Sequence, residues 1–291
     1  MRNDELKGLA AAPISWGVCE VPGWGTQLEP DRVLDDARRL GFTAIEAGPP
    51  EFLATDIARA RAQLDRAHLL LIGGFVAVVL HDPADRPASL AAVERQTERL
   101  RQLGAEVLVL APALAHQGYD APARLDRSAW RELFAGLDDV AAIAERGGLG
   151  LTVHPHFGTA IETADEIERF LEGCEIALCL DTGHAALGGA DPADLAGRAG
   201  SRVRHVHLKD VDLTLAERVR RREISYIDGV KRGLFVPLGR GAARIDSVLA
   251  ALEPRYRGWY VLEQDIALDA AALVDPAVSV RESLDYVRAR V

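Results

Sequence analysis

The sequence contains little cysteine, few aromatic residues and no long apolar run. Its three cysteines, Cys19, Cys174 and Cys179, match neither the even count of a disulfide framework nor the paired spacing of a zinc ribbon. This usage favours a reducing compartment, and we expect a cytoplasmic protein. Residues 1–8 lack the apolar core of a signal peptide, and no apolar run is long enough to cross a bilayer. We therefore expect no association with a membrane.

Positive charge is also scarce relative to negative charge. Lys and Arg number 34 against 44 Asp and Glu, so the formal net charge is −10. Proteins that bind the phosphate backbone of nucleic acids present a basic surface, so we expect no nucleic-acid partner. Hydrophobic residues make up 48% and charged residues 27% of the chain, which is typical of globular proteins. The 291 residues are enough for one large core.

Short apolar runs alternate with helical patterns along the sequence. Residues 30–40 carry apolar side chains at helical spacing before Gly41, whereas residues 106–111 form the apolar run of a buried strand. About eight strand–helix units predict a parallel sheet with helical crossovers, and they fit a closed (β/α)8 barrel of about 250 residues. An open, doubly wound sheet is the alternative, but its glycine fingerprint is absent after Trp16.

We therefore predict an α/β fold, a single (β/α)8 TIM barrel that spans residues 1–291. The pattern places the first strand at residues 11–16. It also predicts an inserted helical segment after the seventh strand, at about residues 213–243, with a helix at residues 215–231.

Polar side chains stand where the predicted strands end, which is the edge that carries the active site in such barrels. They are Glu46, His154, His156, Asp181, His184, His207, Lys209 and Glu263. Five of the eight histidines in the chain lie between positions 154 and 207. Imidazoles and carboxylates that converge from neighbouring strands predict a divalent metal site. Mixed nitrogen and oxygen donors suit Mn²⁺, Co²⁺, Fe²⁺ or Zn²⁺ better than Ca²⁺.

Several of these positions also have a structural interpretation. His205 lies one step deeper than the strand ends, which favours a hydrogen-bonded core histidine. Asp181 could cap a helix, and residues 209–210 could form a surface ion pair. Residues 263–265 could be a solvated loop. Trp16 could form either the floor of the barrel or a wall for a sugar ring.

Several motifs resemble the xylose isomerase-like superfamily of sugar isomerases and epimerases. They are Asp-Thr-Gly-His at 181–184, His-Val-His-Leu-Lys-Asp at 205–210, and residues 12–16 and 42–48. Within the superfamily, the chain most resembles the inosose dehydratase branch, the 2-keto-myo-inositol dehydratases. The segments that carry this likeness are residues 154–159, 219–235 and 257–265.

The resemblance implies a metal ion held by Asp181, His207, Glu263 and the strand-five position. That position is His154 in this sequence, with His156 as the alternative. Isomerases of the superfamily carry a Glu at strand five and are thought to move a proton with two metal-bound Glu residues. Only Glu263 of that pair is present here. A single carboxylate suits removal of a proton next to a ketone followed by loss of a β-hydroxyl group, which is a dehydration.

The resemblance therefore implies a metal-dependent lyase that dehydrates a keto-cyclitol or keto-sugar. The expected ion is Mn²⁺ or Co²⁺, with Zn²⁺, Fe²⁺ or Mg²⁺ as alternatives. The alternative function is a metal-dependent isomerase or epimerase that acts through an enediol. Related barrels often pair, so a homo-oligomer is one expected state.

Two sets of residues are candidates for the chemistry that the resemblance implies. The candidate catalytic residues are Glu263, His184, Lys209 and His156, and the acid and the base stay unassigned among them. The candidate substrate-binding residues are Trp16, Glu46, His205 and Arg240. Arg240 stands where the dehydratase branch has an acidic residue, so the substrate could be a related 3-keto-sugar or keto-cyclitol instead of inosose.

Overall fold

Eight parallel strands close into a barrel in the computed structural model, which describes residues 8–115, 118–120, 124–253, 255–269 and 275–291. The strands are β1 (Gly8–Ala11), β2 (Ala44–Glu46), β3 (Leu70–Val78), β4 (Val107–Pro112), β5 (Gly150–Val153), β6 (Ala177–Asp181), β7 (Val203–Leu208), β8 (Asp210–Val211), β9 (Phe235–Val236) and β10 (Trp259–Leu262). β8 and β9 form a separate antiparallel pair. β10 pairs with β7 and β1, and β1 pairs with β2, which closes the ring. The predicted (β/α)8 barrel is confirmed.

Helices follow the barrel strands. They are α1 (Pro30–Leu40), α2 (Ile57–Ala67), α3 (Arg86–Leu103), α4 (Arg127–Arg146), α5 (Ala164–Gly173), α6 (Thr182–Leu187), α7 (Pro192–Ala199), α8 (Leu213–Arg220), α9 (Tyr226–Lys231), α10 (Ile245–Leu252) and α11 (Pro276–Arg288). Local sequence sets several boundaries. Pro30 opens α1, Gly41 ends it with a φ of 85°, and Thr163 and Glu166 form a reciprocal capping box at α5. Among the described residues, no helix combines the length and the apolar character that a membrane crossing needs.

The register of the barrel strands brings polar residues to one level. Asp181 on β6 lies opposite His207 on β7, and Leu208 on β7 lies opposite Leu262 on β10. Because these strands are parallel, Lys209 and Glu263 follow at the same edge. The carboxyl ends of the strands therefore present their side chains to a common space.

Two predicted segments are wrong in detail. The expected strand at residues 11–16 is the end of β1 followed by a 3₁₀ helix at Pro13–Trp16. Pro13 has no N–H to donate to a neighbouring strand, so the ladder stops before it. The expected helix at residues 215–231 is divided into α8 and α9. Arg222 interrupts it with a φ of 56°, and Ser225 caps the new helix.

Helices α8 and α9 pack beside the carboxyl edge of the barrel. Val219 and Tyr226 from these helices pack with Trp24, Phe157 and Phe235 in an apolar cluster separate from the main core. This packing brings Tyr226 next to the polar strand ends. The interpretation of residues 213–243 as an insertion, and of the whole chain as a single domain, stays a prediction.

Asp210 joins β8 to the connection that leads into α10. Its side chain accepts hydrogen bonds from the backbone N–H groups of Val211, Gly239, Gly241 and Ala243, at 2.9 to 3.0 Å. The residue is only 1% exposed. The alternative of a surface ion pair with Lys209 is therefore wrong, because Asp210 is buried and satisfied by backbone donors.

We predict that Asp210→Ala lowers the free energy of unfolding by about 2–4 kcal/mol, because it leaves four N–H groups without their charged acceptor. Chemical denaturation of the purified variant measures this loss. Asp212→Ala is the matched control, since Asp212 caps α8 with one hydrogen bond and its loss costs about 1 kcal/mol. Equal losses in the two variants would contradict the role assigned to Asp210.

Candidate metal centre and active site

Four barrel strands bring donor atoms together at the carboxyl edge. His154 follows β5, Asp181 ends β6, His207 lies on β7 and Glu263 follows β10. His207 Nδ1 lies 3.2 Å from His154 Nε2, 3.7 Å from Asp181 Oδ2 and 2.9 Å from Glu263 Oε2. His154 Nε2 lies 3.5 Å from Asp181 Oδ2. His154, and not His156, is therefore the strand-five histidine that lies with the other donors.

These separations match the donor spacing around a small divalent ion. Ligand atoms about 2.1 Å from a tetrahedral ion lie about 3.4 Å from one another. The observed distances of 2.9 to 3.7 Å fall on both sides of that value. In addition, Asp181 Oδ2 is buried and accepts no hydrogen bond within the described part of the chain. The residues present therefore fit a divalent cation.

The sequence offered two interpretations of Asp181, as a helix cap and as a metal ligand, and its two carboxylate oxygens are placed for one each. Its Oδ1 accepts a hydrogen bond of 2.7 Å from the backbone N–H of His184 and so caps α6. Its Oδ2 faces the other donor atoms. The cap holds the carboxylate in one orientation, which points the second oxygen into the site.

Lys209 supplies a fixed positive charge beside the donors. Its Nζ lies 2.6 Å from Glu263 Oε1, 2.8 Å from Asp265 Oδ1 and 3.3 Å from Asp181 Oδ2. Burial opposes the charge, but these three carboxylates raise the pKa of Lys209 well above its usual value. Lys209 is 1% exposed, so its ammonium group holds Glu263 and Asp265 in place from behind.

A cavity of about 810 Å³ opens onto this cluster. The predicted site residues that line it are Glu46, His154, His156, His207 and Glu263. Aromatic side chains of Trp24, Phe75, Tyr119 and Tyr226 form part of its wall. Asp181, His184 and Lys209 are each 2% exposed or less and lie behind the residues that face the cavity. Its volume is within the usual range for small-molecule sites.

His156 and His184 pack against each other with ring centroids 3.7 Å apart and ring planes tilted by 33°. His156 Nδ1 lies 2.7 Å from the carbonyl oxygen of Phe157, which can only accept, so Nδ1 carries the hydrogen. Burial and the neighbouring His154 and Lys209 lower the pKa of His156 to about 3. Its Nε2 is therefore an unprotonated acceptor at the cavity. Lys209 Nζ donates a hydrogen bond of 3.1 Å to His184 Nε2.

Three predicted substrate-binding residues lie outside the cavity. Trp16 is 0% exposed and packs in the main apolar core, so it is not a wall for a sugar ring. Arg240 has a side chain that is 64% exposed and pairs with Glu282 on α11. His205 is a buried histidine whose Nε2 is 2.7 Å from Glu46 Oε1. The structure thus favours the core interpretation of His205.

Two residues of the site were not among the sequence candidates. The first is Asp265, for which the sequence offered only a place in a solvated loop. In the structure it is 3% exposed and contacts Lys209. Its Oδ2 accepts a hydrogen bond of 2.5 Å from the hydroxyl group of Tyr226, which reaches the site from α9. The spacing of Asp265 from Glu263 by two residues was the available signal, since alternate residues of an extended chain share a face.

The profile of the xylose isomerase-like TIM-barrel family matches residues 34–290. The chain belongs to this family. An inosose dehydratase of Geobacillus kaustophilus is 33% identical over 93% of this chain and 89% of that protein. The rhizopine catabolism protein MocC of Rhizobium meliloti is 32% identical over 88% of this chain and 81% of its own length. The predicted likeness to inosose dehydratases is thereby confirmed.

Solved structures share the fold at lower identity. The probable 3-DHS dehydratase AsbF from Bacillus anthracis has a TM-score of 0.73 at 15% identity and covers 98% of this chain and 100% of its own. D-allulose 3-epimerase from Methylomonas sp. has a TM-score of 0.72 at 19% identity, with 97% and 96% covered. The IOLI protein, solved with a zinc atom, has a TM-score of 0.70 at 15% identity, with 97% of each chain covered. At these identities the likeness establishes the barrel.

We predict that purified protein with about one equivalent of divalent ion loses that ion in His207→Ala, because His207 Nδ1 borders all three other donors. Elemental analysis by mass spectrometry measures the metal content. His68→Asn is the control, since His68 is exposed, lies far along the chain from the site and has a φ of 55° that Asn tolerates. A His207→Ala protein that keeps its ion would contradict the assignment.

Proposed function

We propose that this protein is a metal-dependent hydro-lyase that dehydrates a keto-cyclitol or keto-sugar, with 2-keto-myo-inositol as the first substrate to test. The observation that carries the proposal is the convergence of His154, Asp181, His207 and Glu263 at the cavity. The 33% identity to an inosose dehydratase over 93% of the chain supports the keto-cyclitol as substrate class.

His154, Asp181, His207 and Glu263 are the proposed ligands of the ion. Two imidazoles and two carboxylates favour a transition metal over Ca²⁺ or Mg²⁺, and Mn²⁺ or Co²⁺ is the proposed ion. When bound, the ion polarises the substrate ketone and stabilises the negative charge that develops on its oxygen.

His156 is the proposed base: its low pKa keeps it unprotonated near neutral pH but makes it a weak base, so it depends on the adjacent ketone to acidify the proton that it removes. It lines the cavity, and its Nδ1–H is committed to the Phe157 carbonyl group, so its Nε2 lone pair is free to accept the proton of the carbon next to the ketone. Packing against His184 and contact with Tyr119, at 3.7 and 4.3 Å between ring centroids, hold the imidazole in this orientation.

Lys209, Asp265 and Tyr226 are the proposed source of the proton for the leaving hydroxyl group. Asp265 connects the other two, at 2.8 Å from Lys209 Nζ and 2.5 Å from the hydroxyl oxygen of Tyr226. Asp265 and Tyr226 face the cavity, and Lys209 lies behind them. Lys209 holds Glu263 through Oε1, which leaves Oε2 directed at the other proposed ligands.

The proposed reaction is balanced by one proton accepted and one donated. The C–H bond next to the ketone breaks, and its proton passes to His156. The electron pair forms a carbon–carbon double bond as the β-carbon–oxygen bond breaks. The hydroxide that leaves takes a proton from the network of Lys209, Asp265 and Tyr226, so the products are an enone and water.

An epimerase or isomerase is the second candidate. That chemistry in the superfamily is thought to need two metal-bound Glu residues, one on each side of the enediol. The strand-five donor in this structure is His154, and a single Glu is present among the four proposed ligands. This difference favours elimination.

We predict that metal-loaded protein produces an enone from 2-keto-myo-inositol, seen as a rise in ultraviolet absorbance, and that EDTA suppresses it, because the ion stabilises the developing charge. Product analysis by mass spectrometry shows a loss of water. A product that keeps all hydroxyl groups would assign the protein to the epimerases, and no product from any keto-cyclitol or keto-sugar would exclude both candidates.

We predict that His156→Gln lowers kcat by about 10²–10⁴-fold, which is the usual contribution of a general base. The metal content stays that of the wild type, because His156 is not a proposed ligand. Steady-state kinetics and elemental analysis of the same preparation separate this variant from His207→Ala, which loses both. Wild-type kcat in His156→Gln would remove His156 from the mechanism.

A further inference from the structure

Glu46 lies at the end of β2, on the opposite side of His207 from the proposed ion. We propose that Glu46 is a positioning residue that holds His207 with its Nδ1 directed at the ion, and that it does not itself bind the ion. This inference rests on the metal centre of the proposed function. The sequence prediction that Glu46 binds substrate stays a prediction, since Glu46 also lines the cavity.

One carboxylate oxygen of Glu46 accepts two hydrogen bonds. Its Oε1 lies 3.2 Å from His207 Nε2 and 2.7 Å from His205 Nε2. A carboxylate oxygen only accepts, so each Nε2 carries a hydrogen. With the hydrogen on Nε2, the lone pair of a neutral His207 is at Nδ1, which is the nitrogen that borders His154, Asp181 and Glu263.

Glu46 also supplies a charge that strengthens His207 as a ligand. The carboxylate is 5% exposed, and its Oε1 lies within hydrogen-bond distance of both imidazoles. An imidazole that donates its second N–H to a carboxylate is oriented by that bond and becomes a more basic ligand.

The distance between Glu46 and His205 favours a direct hydrogen bond over an ion shared by the two residues. Donor atoms of one tetrahedral ion lie about 3.4 Å apart, whereas Glu46 Oε1 and His205 Nε2 are 2.7 Å apart. That separation is the length of a direct hydrogen bond to a charged acceptor. His205 therefore anchors Glu46 from below, and Glu46 in turn anchors His207.

Binding of Co²⁺ to metal-free protein tests the proposal without relying on activity. We compare the wild type, Glu46→Ala and Glu46→Gln by titration, and read both the stoichiometry and the dissociation constant. We expect one ion per chain in all three. Glu46→Ala should bind about 10–100-fold more weakly, which is the usual effect of losing such a partner. Glu46→Gln keeps an acceptor oxygen without the charge and should bind with intermediate affinity.

Asp36 provides the matched control for the loss of a buried carboxylate. Its side chain is 6% exposed and pairs with Arg32 on α1, away from the metal centre. Asp36→Ala and Asp36→Asn should bind Co²⁺ with wild-type affinity. Equal weakening in the Asp36 and Glu46 variants would show that general loosening of the fold explains the effect, and would overturn the proposal.

Other outcomes overturn the proposal in distinguishable ways. Wild-type affinity in Glu46→Ala would remove Glu46 from the metal centre while leaving the proposed function intact. If Glu46→Ala does not fold, wild-type affinity in Glu46→Gln has the same meaning. Two ions in the wild type and one in the Glu46 variants would make Glu46 a ligand of a second ion. A wild type that binds no ion would overturn both this inference and the proposed function.

Discussion

Compensation of buried charge is the constraint on which the site depends. The side chains of Glu46, Asp181, Glu263 and Asp265 are all 11% exposed or less and lie close together at one edge of the barrel. A carboxylate buried without a counter-charge costs several kcal/mol. Lys209 contacts three of the four, which explains why an ammonium group is itself buried there.

Imidazole groups also lie against the buried carboxylates, and a divalent ion would balance part of the remaining negative charge. His207 lies between Glu46 on one side and Glu263 on the other, at 3.2 and 2.9 Å. Asp181 Oδ2 has charged neighbours but accepts no hydrogen bond within the described residues. A cation among these donors adds positive charge where carboxylates outnumber the fixed cation, Lys209, so binding the ion and stabilising the site are the same process.

The barrel strands place the site at their carboxyl edge, and the segment after β7 adds side chains to that site. Tyr226 on α9 reaches Asp265, which follows β10, and its ring packs near His156 and His184. These contacts place an aromatic ring beside the histidine pair. Residues outside the barrel strands therefore add to the groups that line the cavity.

The sequence alone determined the barrel, because alternating apolar runs and helical patterns are local. Parallel strands place their carboxyl ends at one edge, so position along the strands predicted that polar side chains would meet there. The choice of His154, Asp181, His207 and Glu263 as proposed ligands came from the resemblance to the xylose isomerase-like superfamily. Only the tertiary structure decided which neighbours act together. Trp16 turned inward, and Arg240 paired with Glu282 on the surface. Tyr226 contacts Asp265, which is 39 residues away in the chain. Glu46 contacts His205 and His207, which are about 160 residues away. Such contacts depend on the closure of the ring and on the packing of connecting segments, which no local pattern encodes.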